Sequence, residues 1–482
     1  MVKIPRCMST QHPDNVNPPF FAEHPELAGE DEIQEAYYAF FHLGCDEQMW
    51  DYEGKEGDSF VVRKLLTKYE PFFREKKLGK DLFITLRVPN PLIEKAEAKV
   101  LLETLESIPR SFDTAKIFYG DDIPPIFEVV LPMVTSAKCL DRIYRYYCDF
   151  IVGKQNKHIG DITIAEWVGN FAPERINVIP LFEDMEHTLE AHNIVREYLQ
   201  DKKVEYQRVF LARSDPAMNY GLISAVFLNK IALLRLQRLS EEIGIKIYPI
   251  IGVGSAPFRG NLKPATVERI LKEYPSAYTF TIQSAFKYDN SFEEVRSAIR
   301  KLYENKPGKP HEIDEKRCLE IIEKYSKEYQ NQVAKLVKVI NKIAKFIPRR
   351  RKRKLHIGLF GYSRDFKGIK LPRAITFTAA LYSVGLPPEI LGLNILSKED
   401  FEFVKEVYIN FEADLIDALR FFNPDTIFLP DELRQIIKQI DFYIDEAHKE
   451  ITDYIIKVVK EDKDEDLREY VVKAAYLRKF LG

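Results

Sequence analysis

Short apolar or β-branched runs recur along the chain, separated by long stretches with helical spacing. Seven of them have the length and composition of buried strands: Leu82–Val88, Phe127–Leu131, Asn177–Phe182, Arg208–Ala212, Lys246–Ile251, Tyr278–Ile282 and Leu355–Phe360. Between them, Leu222–Leu239 repeats apolar residues at three- and four-residue steps, which predicts a helix. Another helix is predicted around Asp31–His42, and an eighth strand near Phe40–Gly44 would complete the set. The first 30 residues, rich in Pro, Asn and His, read as irregular. Strands alternating with helices imply βα units and a parallel sheet, here an α/β fold of the (β/α)8 TIM-barrel type. The competing doubly wound sheet is disfavoured, because no GxGxxG follows the first strand.

Ser291–Phe346 and Asn394–Gly482 show no strand pattern and predict extensive additional helices, the first stretch broken near Lys306–Pro310. No linker is long enough to force a boundary. Residues 1–482 therefore read as a single decorated barrel domain. Its catalytic barrel would cover roughly 35–393, with a C-terminal helical region at roughly 394–482 packed on it.

Composition narrows the class. The 482 residues are 45% hydrophobic and 30% charged, which excludes wholesale disorder. The net charge of −3 gives no bulk attraction to nucleic acid. No apolar run approaches the roughly 20 residues of a membrane helix, and the start lacks the apolar core of a signal peptide. A cytoplasmic protein with neither membrane nor nucleic-acid partners is expected. The five cysteines are widely spaced with no CxxC pair, so reduced thiols are expected rather than a disulfide framework or a zinc site.

The polar residues that follow the apolar runs are the candidate chemistry, because barrel active sites lie at the carboxyl ends of the strands. Glu183 and Asp215 each follow such a run, about one βα repeat apart. Two carboxylates with waters and a substrate oxygen suit Mg²⁺ or Mn²⁺; the alternative is that each caps the following helix. Arg87, Arg259, Arg364 and Arg373 also stand at strand ends or in the loops after them. Guanidinium groups there suit an anionic substrate; the alternative is surface ion pairing. The glycine-rich turn Gly252–Gly260 could offer backbone N–H groups to phosphate oxygens. His12, among Pro and polar residues, is either a general base or an ordinary surface histidine. The cationic run Arg349–Lys354 reads as a solvated loop before a strand, with nucleic-acid binding as the weaker alternative.

These motifs resemble, in order, those of the archaeal-type phosphoenolpyruvate carboxylases. Cys7–Asn15, CMSTQHPDN, resembles the opening motif of that family, and Leu82–Asn90, LFITLRVPN, its substrate-arginine strand. Pro180–Asp184, PLFED, and Leu211–Gly221, LARSDPAMNYG, resemble the strands that carry its metal-binding Glu and Asp. Gly361–Arg364 and Leu371–Gly392 resemble its last arginine-bearing region. The resemblance implies a decorated barrel assembled as a homotetramer. It also implies the carboxylation of phosphoenolpyruvate by bicarbonate, with Mg²⁺ or Mn²⁺, to give oxaloacetate and inorganic phosphate. It casts Glu183 and Asp215 as metal ligands and His12, Arg87, Arg259, Arg364 and Arg373 as catalytic. Arg87, Arg213, Arg364 and Arg373 would bind substrate.

Longer bacterial and plant members carry a loop of the form FHGRGG. Its His and first Arg fall on Ile251 and Val253 here, its later Arg matches Arg259, and a Lys after the metal Asp falls on Met218. Arg213 and Arg364 are the candidates to compensate. The end, Arg478–Gly482, lacks the Asn that binds inhibitory aspartate in those enzymes, so the resemblance does not carry that feedback over. The runner-up function is another barrel lyase or aldolase of 2-oxo acids that uses a metal and an enolate.

Overall fold

Eight parallel strands close into a barrel in chain order: β1 (Cys7–Ser9), β2 (Glu47–Asp51), β3 (Phe83–Arg87), β4 (Glu128–Leu131), β5 (Asn177–Phe182), β6 (Tyr206–Ala212), β7 (Lys246–Gly252) and β8 (Thr279–Ile282). β8 closes the ring onto β1, with Cys7 opposite Phe280 and Ser9 opposite Ile282. The computed structural model describes residues 3–352, 370–462 and 466–482. The strand expected at Leu355–Phe360, and Arg364 with it, lies outside the described residues.

The other six expected strands form β3 to β8 with their ends shifted by no more than about two residues. The first two barrel strands differ from expectation. Residues Tyr38–Leu43 form a π-helical turn that continues the helix Glu30–Tyr37, and no strand forms at Phe40–Gly44. A short apolar run suits a buried helix as well as a strand, and Gly44 (φ 86°) ends this one with a left-handed cap. β2 begins three residues after Gly44, at Glu47. β1 lies inside the segment expected to be irregular. At three residues it is too short to show any alternation. The barrel thus begins at Cys7 rather than near residue 35, and its last strand ends at Ile282.

Strand side chains alternate between faces, so positions two apart share the barrel interior. Glu47, Met49 and Asp51 stack in this way on β2, as do Arg208, Phe210 and Ala212 on β6. The lower layer is polar: Arg208 Nη1 donates to Glu47 Oε1 and Glu128 Oε2, both at 2.7 Å, and Nη2 donates to Glu47 Oε2 at 2.7 Å. Burial alone would disfavour the Arg208 charge, but Glu47 and Glu128 more than offset it and hold its pKa above the ordinary arginine value. Above lies an apolar plug that includes Met8, Met49, Val130, Phe210 and Ile250. The plug seals the bottom, so only the top layer, at the carboxyl ends, can meet a ligand.

The outward faces of the strands pack on surrounding helices in one large core, which includes Val129, Val178, Phe182, Ile251 and Phe280. A second core joins the helices Leu222–Ile243, Glu315–Ala344 and Ala374–Ser383 to those of 394–482. The C-terminal helices thus dock largely on other helices. No single helix among the described residues is long and apolar enough to cross a membrane.

Candidate active site

His12, Glu53, Arg87, Glu183, Asp215 and Arg373 line one cavity of about 460 Å³ at the carboxyl ends of the strands. Strand parity explains several of these. Arg87 is in phase with Thr85 on β3, Asp51 with Met49 on β2, and Glu183 with Leu181 on β5.

Arg87 is buried and held by β2. Nε donates to Asp51 Oδ1 at 2.9 Å, Nη2 donates to Asp51 Oδ2 at 2.6 Å, and Nη1 lies 3.0 Å from Glu53 Oε2. Arg373 precedes the helix Ala374–Ser383 at its N-cap, with Nη2 3.6 Å from Glu53 Oε1. Glu53 therefore links the two arginines. Asp51 and Glu53 were not singled out from sequence, although the spacing Glu47–Met49–Asp51 marks Asp51 as inward-facing once β2 is known.

The helix-cap reading of the two carboxylates is settled locally. The helix Met185–Leu189 is capped by Asp184, whose Oδ1 accepts from His187 N at 2.9 Å, not by Glu183. Glu183 Oε2 instead accepts the Met133 amide at 2.7 Å. Met133 sits at φ 51°, a left-handed conformation uncommon for a residue with a Cβ. Its carbonyl, and that of Pro132, are held by Asn90 Nδ2 at 3.1 and 2.8 Å. Asp215 lies in the first turn of the helix Ser214–Tyr220, whose N-cap position is Arg213 and which carries no side-chain cap.

His12 is partly buried, with Nδ1 2.9 Å from Thr10 Oγ1. Arg259 is 1% exposed and works as a clamp. It donates to Ser214 Oγ (3.1 Å), Asp14 Oδ2 (3.3 Å), Gly482 O (2.7 Å) and Gln283 Oε1 (2.5 Å). Four of its five N–H groups are thus engaged in joining β1, β6, β8 and the chain's last residue. Arg213 is also buried, with Nη1 3.4 Å from Phe258 O and the Tyr274 ring beside it. Its guanidinium is thereby committed to the wall behind the cavity.

The glycine-rich turn differs from expectation. Residues 253–260 are buried, and their amides are used internally: Val253 N donates to Thr281 Oγ1, Gly254 N to Arg259 O and Ser255 N to Asp14 Oδ2. It offers no phosphate cradle and no mobile lid. A Cβ on Gly254 would lie 2.8 Å from Arg259 Cζ, so this glycine is where the guanidinium lies against the backbone. Ile251 and Val253 pack in the outer core, and Met218 in the helical one.

The cationic run differs as well. Arg351 is 3% exposed; Nη1 donates to Glu32 Oε1 at 2.7 Å and Nη2 to Glu35 Oε2 at 2.8 Å. Its backbone pairs with Leu27. Lys345, Arg349 and Arg350 join the lining of the same cavity. These are cations at positions quite different from those missing in the glycine-rich turn, and a six-residue basic run gave no sign of which would turn inward.

Among the described residues no group of three or more His, Cys, Asp or Glu gathers as a metal site. Glu183 and Asp215 nevertheless suit a hard divalent cation. Mg²⁺ commonly takes one or two carboxylates and completes its shell with water and substrate oxygens.

A family model described as phosphoenolpyruvate carboxylase matches residues 4–482. A phosphoenolpyruvate carboxylase of Methanothermobacter thermautotrophicus is 59% identical over the whole of both chains. One of Pyrococcus furiosus is 53% identical over 99% of this chain and all of its own. Among solved structures, an HpcH/HpaI aldolase from Desulfitobacterium hafniense aligns with 63% of this chain and 93% of its own, at 13% identity and TM-score 0.34.

Proposed function

The chain belongs to the phosphoenolpyruvate carboxylase family, and we propose that it joins phosphoenolpyruvate to bicarbonate, giving oxaloacetate and inorganic phosphate. In a cell this would replenish four-carbon dicarboxylic acids. The observation that carries the reading is the convergence of His12, Arg87, Glu183, Asp215 and Arg373 on one cavity at the barrel mouth. Lyase or aldolase action on 2-oxo acids would use similar carboxylates and arginines. The relatives' shared name, over the full chain, favours carboxylation.

Arg87 and Arg373 would take the phosphate and carboxylate of the substrate, and their charge would favour phosphoryl transfer as it builds on oxygen. Arg87 is already oriented by Asp51, so little rearrangement is needed. Glu183 and Asp215 would hold Mg²⁺ or Mn²⁺, which when bound supplies Lewis-acid stabilisation to oxygens gaining negative charge. A bicarbonate oxygen attacks phosphorus and the enol C–O–P linkage breaks at phosphorus, giving carboxyphosphate and the enolate of pyruvate. His12 accepts the carboxyl proton of carboxyphosphate, which releases CO₂ and phosphate. The enolate carbon then bonds to CO₂. The apolar plug below the site excludes water from that side, which protects the enolate from protonation to pyruvate.

A cytoplasmic homotetramer belongs to the same reading. What supports assembly is an exposed apolar patch around the hairpin His158–Ile159 and Ile162–Thr163, with Phe150 61% and Trp167 67% exposed. Light scattering giving four chain masses tests it.

The first experiment is oxaloacetate formation from phosphoenolpyruvate, bicarbonate and Mg²⁺, read as NADH oxidation by coupled malate dehydrogenase. Bicarbonate-dependent signal with stoichiometric phosphate is the expected result. Folded, metal-supplied protein that leaves phosphoenolpyruvate unchanged would return the lyase reading to first place.

A further inference from the structure

Glu94 follows β3 in a turn where its amide donates to Asn90 O at 2.8 Å. The residue is 4% exposed, and neither carboxylate oxygen has a hydrogen-bond partner. Buried carboxylates are nearly always paired, so a pair of unpartnered oxygens needs an explanation. The charged groups acting on Glu94 are Glu53 and Asp51 at the end of β2, Arg87 at the end of β3 and Arg373 before the helix Ala374–Ser383. All four belong to, or adjoin, the wall that would receive the substrate anion.

Burial first, then Glu53 and Asp51, push the Glu94 carboxyl up to about 8, against the opposing pull of Arg87 and Arg373. The charge count makes the consequence plain. With Glu94 protonated, two carboxylates balance two guanidinium groups. With Glu94 ionised, the same wall carries one excess negative charge.

We propose that Glu94 is a positioning residue for the substrate anion: as a neutral acid it leaves the Asp51–Glu53–Arg87–Arg373 cluster balanced, and on losing its proton it turns that cluster against phosphoenolpyruvate. The proposal rests on the phosphoenolpyruvate reading above. It assigns Glu94 no contact with the reacting atoms. Its effect is on how strongly Arg87 and Arg373 can hold an anion.

The test compares the protein with Glu94→Gln, a neutral isostere, in steady-state oxaloacetate formation across alkaline pH at saturating bicarbonate. The unaltered protein should show a KM for phosphoenolpyruvate that rises up to roughly tenfold per pH unit above about pH 8, with kcat nearly constant. In Glu94→Gln that rise should vanish. Ionisation of the substrates is common to both proteins and cancels in the comparison. Glu94→Met, neutral and of similar length, serves as a second variant should the first fold poorly. Infrared difference spectroscopy without substrate should show a protonated carboxyl band at neutral pH that is lost at alkaline pH and absent from either variant. Turnover without that band, or an unchanged alkaline rise in both variants, overturns the role of Glu94. The band present with no oxaloacetate formed overturns the phosphoenolpyruvate reading, and the substrate role with it.

Discussion

Arg87 and Asp51 stand opposite one another on β3 and β2, and the guanidinium fork of Arg87 donates to both oxygens of Asp51, at 2.9 and 2.6 Å. This bidentate pair fixes the plane in which Arg87 meets an anion, and a lysine cannot reproduce it. Arg87→Lys keeps the charge and loses the fork. We expect KM for phosphoenolpyruvate to rise on the order of tenfold to a hundredfold, with only a small shift in Tm. Arg87→Ala removes the charge as well and leaves Asp51 and Glu53 buried without their partner. That variant should lose about 3–5 kcal/mol of stability in denaturant unfolding. A lysine variant with unaltered KM would show that the fork geometry is not used.

Arg351 gives a second prediction, on stability rather than catalysis. Burial disfavours the Glu35 charge, but Arg351 and Lys287 outweigh it and bring its pKa down from 4.5 to about 2. A carboxylate with a depressed native pKa contributes stability that is fully present above its unfolded value and is lost as pH falls through the native value. The contribution of Glu35 should therefore be constant at neutral pH and disappear between about pH 4.5 and pH 2. Arg351→Met should cost about 3–5 kcal/mol at pH 7, because Glu32 and Glu35 then lose a buried partner. The gap between the two proteins should narrow through that acid range. Urea unfolding at several pH values measures it, and a gap independent of pH would refute the linkage.

The same residue marks the limit of what the sequence disclosed. Strands β3 to β8 were readable because each is a continuous apolar run with a turn at its end, buried on both faces by a barrel. Their polar successors, Arg87 and Glu183 above all, followed from that frame. β1 and β2 were not readable in this way. β1 is three residues long, and β2, EQMWD, puts charge inside the barrel at Glu47 and Asp51. That charge is satisfied only by Arg208 and Arg87, which come from strands far along the chain. For the same reason the direction of Arg351 could not be foreseen. Its partners, Glu32 and Glu35, lie over 300 residues earlier. Arg259 was found, but its role as a clamp depends on four acceptors from four separate segments.

Glu183 and Asp184 are adjacent and should separate cleanly in experiment. Asp184 caps a helix, whereas Glu183 is held by the Met133 amide and lines the cavity. Asp184→Ala should cost about 1 kcal/mol of stability and leave the metal requirement unchanged. Glu183→Gln should keep the fold and raise the Mg²⁺ or Mn²⁺ concentration needed for half-maximal activity by at least roughly tenfold. Metal titration of rate, with thermal melting of the same samples, separates the two effects. Equal metal curves for Glu183→Gln and the unaltered protein would remove Glu183 from the metal site.

His12 tests the order of events. Its Nδ1 lies 2.9 Å from Thr10 Oγ1. The hydroxyl can hold the ring in one orientation, which leaves Nε2 as the atom to take a proton. If His12 acts only after phosphoryl transfer, its loss should not stop carboxyphosphate from forming. His12→Asn should then still release phosphate in a bicarbonate-dependent way, at a rate reduced by roughly 10²- to 10⁴-fold or less, and the stranded enolate should leave as pyruvate. Lactate dehydrogenase and malate dehydrogenase couple to pyruvate and oxaloacetate separately, so the product ratio is measured directly. Thr10→Val should shift the same ratio more weakly, since it removes the hydrogen bond and keeps the imidazole. A His12→Asn protein that turned over slowly but gave oxaloacetate and phosphate in equal amounts would place the proton acceptor elsewhere.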